Sequence, residues 1–337
     1  MSAAIAVVIP CYQVARTIAA VVAGIGPEAR HIFCVDDAST DASAEIIAGI
    51  AAADPRVRLI RRPENGGVGA AVLDGYRAAL GAGCGIIVKL DGDGQSNPAL
   101  LSKFCRPIQE GRADYVKGNR FYFPDKVQAM PLGRILGNAG LSFLTKLSTG
   151  YWDLFDPTNG YTAIHADVAA ALPFARLHRR YFFESDMLFR LAVIRARVVE
   201  LPMESVYGAE TSHLGVWRCL VTFPGLHLRN LVKRIGYNYF LRNFSIASVN
   251  LVLGLALIAF GLIFGLDHWL ASVATGRAAT AGTVMVSALP ILIGVQMGLS
   301  FLAFDIAMTP REPLQGHLAD LSLLAGAGDG PSGDQPS

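Results

Sequence analysis

The sequence predicts an α/β fold: a doubly wound, mostly parallel sheet, followed by juxtamembrane amphipathic helices and a two-helix transmembrane hairpin. Three observations carry this. Short apolar runs alternate with helix-forming stretches through the first two thirds of the chain. Two long uncharged runs follow near the C-terminus. Just ahead of them lies a segment with cations but no carboxylates.

Residues 4–9, 32–35, 57–60 and 86–90 are short apolar runs bounded by turn residues, the pattern of buried parallel strands. Residues 17–23, 42–53 and 69–80 lie between them and are rich in alanine, which favours helix. A β-α-β-α order of this kind winds into one sheet with helices on its faces. Residues 115–118, 163–165 and 197–201 read as further strands. Helices are expected at about 131–147 and at 184–195.

From Thr211 to Leu266 there is no Asp or Glu, while Arg218, Arg229, Lys233, Arg234 and Arg242 are present. Leu228, Leu231, Val232, Ile235 and Tyr239 recur at helical spacing, which suits an amphipathic helix on a membrane surface. Residues 245–266 and 278–304 then run 22 and 27 residues without a charge. About 20 apolar residues span a bilayer. The link between them is too short for a domain, so they form a hairpin, and the preceding cations place both of its ends in the cytoplasm. Pro290 and Gln296 are tolerable in the second span if they face a partner helix.

The 337 residues are 52% hydrophobic and 17% charged. Soluble domains carry about a quarter charged residues, so the excess apolarity belongs to the hairpin. These figures exclude a purely soluble protein, a disordered chain and a disulfide-stapled module. A net charge of +2 gives no basis for a nucleic-acid partner. The five cysteines are scattered and read as reduced core thiols. The N-terminus lacks a basic region before its short apolar run, so it does not read as a signal peptide and the body folds in the cytoplasm.

Ligands of doubly wound sheets bind at the carboxyl ends of the strands. There the sequence places Pro10-Cys11-Tyr12, Asp36-Asp37, Arg61-Arg62 and Asp91-Gly92-Asp93. Asp91 and Asp93 would point to opposite faces of an extended strand. The glycines let the chain turn, so both carboxylates can approach one cation, and oxygen ligands suit Mg²⁺ or Mn²⁺. An EF-hand is excluded because its sixth and twelfth positions are Ser96 and Ser102. A solvated polar turn is the alternative. Asp36 and Asp37 can accept hydrogen bonds from a base or ribose, while Ser39 or Asp41 can cap the next helix. Asn65-Gly66-Gly67-Val68-Gly69 opens a helix whose N-terminus favours anions. It is not a dinucleotide fingerprint, which would follow the first strand.

In this order, Val8-Ile9-Pro10-Cys11-Tyr12, Val35 through Asp41, Asn65 through Gly69 and Asp91 through Gln95 resemble the signature of family 2 inverting glycosyltransferases with a GT-A fold. With the hairpin, the chain resembles the membrane-anchored polyprenyl- or dolichol-phosphate mannosyl- and glucosyltransferases over about residues 4–304. The resemblance implies that Pro10, Tyr12 and Asp37 line a nucleoside pocket beside Asp36, with Asn65 and Gly66 nearby. It implies that Asp91 contacts the nucleotide, that Asp93 and Gln95, with Asp91, hold a Mg or Mn cation, and that Arg120 meets the acceptor phosphate. Arg134 and Asn138 stand where a second phosphate-binding arginine and a polar partner are expected, and Glu184 and Asp186 fall near an acidic helix start. Two stretches depart from the family pattern. The common Asn-Glu after the tyrosine is Gln13-Val14, and Tyr207 through His213 replaces a basic stretch.

The implied organisation is a cytoplasmic catalytic domain over 1–210, with a nucleotide-sugar half to about 118 and an acceptor half over 119–210. Juxtamembrane helices follow over 211–244, the hairpin over 245–304 and a flexible tail over 305–337. The implied activity is inverting hexosyl transfer from a nucleoside-diphosphate sugar, of GDP-mannose or UDP-glucose type, to polyprenyl phosphate at the cytoplasmic (inner) membrane. The same fold acting on a lipid or sugar hydroxyl, with Asp186 or Glu184 as base, is the alternative. A non-catalytic sugar-nucleotide-binding subunit is the third reading. The implied partners are the donor, the lipid phosphate and the membrane, with self-association left open.

Overall fold

The computed structural model describes residues 3–122, 132–204 and 216–320. Seven strands form one sheet: β1 (Ile5–Cys11), β2 (Ala29–Asp36), β3 (Val57–Arg61), β4 (Ile86–Lys89), β5 (Tyr115–Asn119), β6 (Thr162–His165) and β7 (Val198–Pro202). Their order is β3-β2-β1-β4-β6-β5-β7. All seven fall where the sequence places them. Only β6 runs antiparallel to its neighbours β4 and β5. From β1 the chain winds outward to β2 and β3, then returns to lay β4 on the other side. The strand order therefore reverses between β1 and β4, and the crevice at their carboxyl ends is where such sheets bind ligands.

The helices of this unit are α1 (Ile18–Ala23), α2 (Ser43–Ala53), α3 (Val68–Gly81), α4 (Leu101–Gln109), α5 (Leu132–Thr149), α6 (Ala166–Ala170) and α7 (Phe183–Val193). Helix α8 (Val216–Ile235) follows. One apolar layer, including Val8, Tyr76, Ile87 and Met187, lies on one face of the sheet. A second, including Val7, Ile9, Val88, Phe104 and Tyr161, lies on the other. Alternation along β1 and β4 feeds both layers, as expected for strands covered on both sides. Cys11, Cys34, Cys84 and Cys105 are free thiols buried in these layers.

The chain divides into two compact units, Met1–Asn230 with Pro310–Ser337, and Leu231–Thr309. The expected boundaries at 210 and 305 differ from this division at both ends. Within the first unit, residues 315–320 are helical, and buried Asp114 accepts N–H groups from Leu314 (2.6 Å), Gln315 (2.8 Å) and Arg197 (2.7 Å). Gln315 Nε2 donates to the Ala113 carbonyl (2.8 Å). The start of the expected flexible tail is thus capped by a carboxylate some 200 residues earlier in the chain, a partner that no local pattern reveals. Residues 321–337 lie outside the described residues. Asp114→Ala leaves three part-buried donors without their acceptor, which costs about 3 kcal/mol. Thermal unfolding should register that loss, and limited proteolysis should cut between Pro310 and Asp320 in the variant before it cuts the parent.

The second unit contains a π-helical segment (Gly236–Arg242), α9 (Ile246–Thr275) and α10 (Ala281–Ala307). Both long helices are apolar enough to cross a membrane. They pack antiparallel through small residues: Ser287 Oγ donates to the Gly261 carbonyl (2.9 Å), and a Cβ on Gly254 would lie 3.0 Å from the Gly294 carbonyl oxygen. Close approach of this kind substitutes for hydrophobic drive in lipid. Gln296 is exposed on the hairpin, and Gly294 and Met297 make the contact with the partner helix. Asp305 is 3% exposed and accepts from Arg234 (2.5 and 3.0 Å) and from the Tyr239 hydroxyl (2.5 Å).

Candidate functional site

The crevice begins at β1 and β2. Cys11 stands opposite Asp36 in register, and Asp36 opposite Arg61. Beyond these pairs the backbone takes positive φ at Gln13 (55°) and Ala38 (55°), conformations that side-chain-bearing residues rarely adopt. Cross-links hold both loops: Gln13 N–H donates to Ser39 Oγ (3.1 Å) and Val14 N–H to Ser43 Oγ (2.9 Å). Strain of this sort persists only where surroundings over-determine it, and it gathers at binding sites. Tyr12 is 48% exposed at the mouth. Asp36 is buried, and its Oδ1 has no hydrogen-bond partner among the described residues. A buried carboxylate oxygen in that condition is an acceptor waiting for a donor.

Asp37 has a different role. Its carboxylate accepts from Gly66 N–H (3.0 Å), Gly67 N–H (2.8 Å) and the Arg62 guanidinium, and its carbonyl accepts from Asn65 Nδ2 (3.2 Å). The anion at the N-terminus of α3 is therefore Asp37 itself. Asn65 and Gly66, expected beside the nucleotide, shape this loop through Asp37. Gly67 has φ of 92°, and a Cβ there would meet Arg180 Cγ at 2.7 Å. Arg62 also pairs with Asp74 at 2.8 Å. The sequence reading noted Arg62 only as a strand-end residue.

The turn after β4 carries the acidic motif. Thr17 Oγ1 donates to the Gly92 carbonyl (2.6 Å), Gly94 takes φ of 76°, and Asp93 Oδ1 accepts Gln95 N–H (2.9 Å). Asp93 and Gln95 are partly exposed there. Asp91 is 33% exposed, and its Oδ1 lies 2.9 Å from Lys89 Nζ. Lys89 also pairs with Glu184 (3.0 Å) and is only 2% exposed. Burial works to lower the Lys89 pKa, but the carboxylates of Asp91 and Glu184 outweigh it and raise the pKa above the usual lysine value. No sequence signal singled out Lys89 except a cation ending an apolar strand beside two acids.

A second ionic cluster lies at the ends of β5 and β7. Arg120 grips fully buried Asp156 through Nε (2.8 Å) and a terminal nitrogen (2.9 Å). Burial opposes the Asp156 charge, but Arg120 prevails and holds the carboxyl below its ordinary value. Glu200 accepts from the N–H groups of Phe155 (2.9 Å) and Asp156 (2.8 Å) and from Asn119 Nδ2 (2.7 Å). Lys117 donates to the Asn159 carbonyl, and burial pushes its pKa down to about 8 despite Asp156 nearby. The side chain of Arg134 and residues Tyr207–His213 lie outside the described residues. Asn138, on α5 with Arg134, is half-buried.

At the start of α7 the two acids separate. Glu184 joins Lys89 and Asp91. Asp186 is 0% exposed, accepts His178 N–H (3.0 Å) and Asn230 Nδ2 (3.2 Å), and lies 3.7 Å from Arg190 Nε. It anchors α8 against the loop before α7. A general base needs access to its proton, and Asp186 lacks it.

His227 on α8 is buried among Phe182 and Phe223, with Nδ1 2.8 Å from Ser148 Oγ. Burial lowers its pKa from 6.5 to about 4. The unfolded chain therefore takes up the proton first as pH falls. The stability this residue lends is whole above about 6.5 and is lost on approach to 4. Stability should drop by about 2 kcal/mol between pH 7 and pH 5, read as the thermal midpoint in detergent. His227→Gln should flatten that slope; an unchanged slope would contradict the assignment.

Among the described residues no three His, Cys, Asp or Glu side chains gather as a self-sufficient metal cage. Asp91, Asp93 and Gln95 offer hard oxygen donors in a turn open to solvent. This set suits a Mg²⁺ or Mn²⁺ ion that shares its shell with phosphate oxygens.

Known proteins match this arrangement. Residues 6–172 match the sequence model of glycosyl transferase family 2. The undecaprenyl-phosphate mannosyltransferase of Micrococcus luteus is 32% identical over 176 residues, covering 52% of this chain and 71% of that protein. The polyprenol monophosphomannose synthase of Mycolicibacterium smegmatis is 30% identical over 175 residues, covering 51% and 65%. Among solved structures, glucosyl-3-phosphoglycerate synthase from Mycobacterium tuberculosis, crystallised with Mn²⁺, UDP and glucosyl-3-phosphoglycerate, superposes with a TM-score of 0.51. It is 19% identical and covers 69% of this chain and 80% of its own. That likeness speaks to the GT-A fold alone. The matched segment holds all four strand-end motifs, and with them the chain belongs to glycosyl transferase family 2.

Proposed function

We propose that this glycosyltransferase moves a hexosyl group from a nucleoside-diphosphate sugar to polyprenyl phosphate at the cytoplasmic membrane face, with inversion. One juxtaposition carries the reading: the partly exposed Asp91–Gln95 turn stands at the same strand-end crevice as the unpartnered Asp36 Oδ1, in a chain with two helices able to span a bilayer. The relatives named for undecaprenyl phosphate and polyprenol support the acceptor class.

In this reading Asp36 accepts a donor group of the nucleoside, and Tyr12 and Pro10 flank it. Asp93 and Gln95, with Asp91, would hold the divalent cation, which would supply Lewis-acid neutralisation of the leaving diphosphate. Arg120, fixed by Asp156, and Arg134 face the acceptor phosphate. A phosphomonoester has its second pKa near about 6 and is largely dianionic at neutral pH. It attacks without a strong base, so its oxygen needs alignment rather than deprotonation. The hydroxyl-acceptor alternative needs a base, and the burial of Asp186 leaves only Glu184, already paired with Lys89. The hairpin sends both of its ends to the cytoplasmic side.

The donor is identified by offering purified protein a panel of radiolabelled nucleotide sugars with polyprenyl phosphate and Mn²⁺. One sugar should become lipid-extractable. Failure of every hexose donor would sink the proposal.

A further inference from the structure

The ladder between β4 and β6 pairs Ile86 with His165 and Lys89 with Thr162. Two steps further in the same register, Asp91 stands opposite Gly160. The structure bears this out: a Cβ on Gly160 would overlap Asp91 Oδ2 and lie 2.7 Å from Lys89 Nζ. The other oxygen, Oδ1, is held by Lys89, which is 2% exposed and reaches Glu184 as well. Both carboxylate oxygens of Asp91 are therefore constrained, one by an ion pair and one by the bare α-carbon of a glycine.

Burying an ammonium carries a desolvation cost that a methionine at the same place would avoid. The residues before it in β4, Ile86 to Val88, are apolar and buried. The lysine interrupts that run where its two partners are acids at the crevice. Its presence is explained by what it holds.

We propose that Lys89 and Gly160 are positioning residues for donor binding: Lys89 bridges Asp91 to Glu184, Gly160 leaves room for the second Asp91 oxygen, and together they set that carboxylate for the metal–diphosphate end of the donor. This rests on the nucleotide-sugar reading above. Neither residue touches the reacting atoms; both act through Asp91.

The test uses the full chain in detergent and titration calorimetry. UDP and GDP are titrated with Mn²⁺, and UMP and GMP without metal. The parent should bind one diphosphate in a Mn²⁺-dependent manner; if it binds neither, the nucleotide-sugar reading itself fails and takes this inference with it. Given a parent that binds, Lys89→Met and Gly160→Ala should each weaken the Mn²⁺-dependent diphosphate affinity by about tenfold or more. Binding of the matching monophosphate should stay within about twofold, because the nucleoside end is untouched. Gly160→Ala removes no charge and carries the test where Lys89→Met fails to fold. Unchanged diphosphate affinity would overturn the inference, and so would equal weakening of monophosphate and diphosphate, the mark of a merely structural role.

Discussion

Asp93→Asn is expected to lower hexosyl transfer by about 10³-fold, the scale of several kcal/mol that metal assistance supplies. The substitution keeps shape. Asparagine retains an oxygen to accept Gln95 N–H, now made at 2.9 Å, so the turn after β4 persists. What changes is charge: a neutral amide is a far poorer ligand for a hard cation than a carboxylate. The thermal midpoint should stay close to that of the parent, since Asp93 is partly exposed. Chelation with EDTA should abolish transfer in the parent, and added Mn²⁺ or Mg²⁺ should restore it. Transfer that survives EDTA would contradict the role given to this residue.

Asp156→Ala is expected to cost about 3–5 kcal/mol, because it removes the fully buried partner of the pair and the two bonds it accepts from Arg120. For a domain of this size the thermal midpoint should fall by roughly 6–20 °C. Asp156→Asn is the gentler probe. It keeps an acceptor for Arg120, which now makes bonds of 2.8 and 2.9 Å, but loses the charge that fixes the guanidinium. Its acceptor KM should rise several-fold while donor KM holds if, as proposed, Arg120 meets the acceptor phosphate. Lysine cannot reproduce the two bonds that fix the guanidinium on Asp156, so Arg120→Lys should show the same split more strongly. A rise in donor KM instead would place Arg120 at the nucleotide.

The seven strands were legible because buried strands are apolar runs, and the turns between them carry the residues that strand ends require. Helix α4 was not, because Pro98 just before it and Pro107 within it interrupt the helical pattern. The antiparallel setting of β6 has no local signature, and with it the pairing of Gly160 to Asp91 stayed hidden. At the site, the acidic turn and Asp36 were visible from position and residue type. The bonds from Gly66 and Gly67 to Asp37 were not legible, because those partners lie about 30 residues away. Asp186 looked like Glu184, since both open a helix. Only the packing of α8, through Asn230, separates a buried anchor from an acid at the crevice. Lys89 left one usable signal: a lysine at the end of a strand otherwise buried must be paired, and Asp91 was the nearest anion.

The central claim is that the acceptor is a phosphate at the end of a polyprenyl chain. The direct measurement offers the purified protein, its labelled donor and Mn²⁺ with either polyprenyl phosphate or the corresponding polyprenol, and counts label in the organic phase. Transfer to polyprenyl phosphate with none to polyprenol is the expected result, because Arg120 has no anion to grip on an alcohol and Asp186 is too buried to deprotonate one. Equal labelling of the alcohol, or labelling of the alcohol alone, would contradict it.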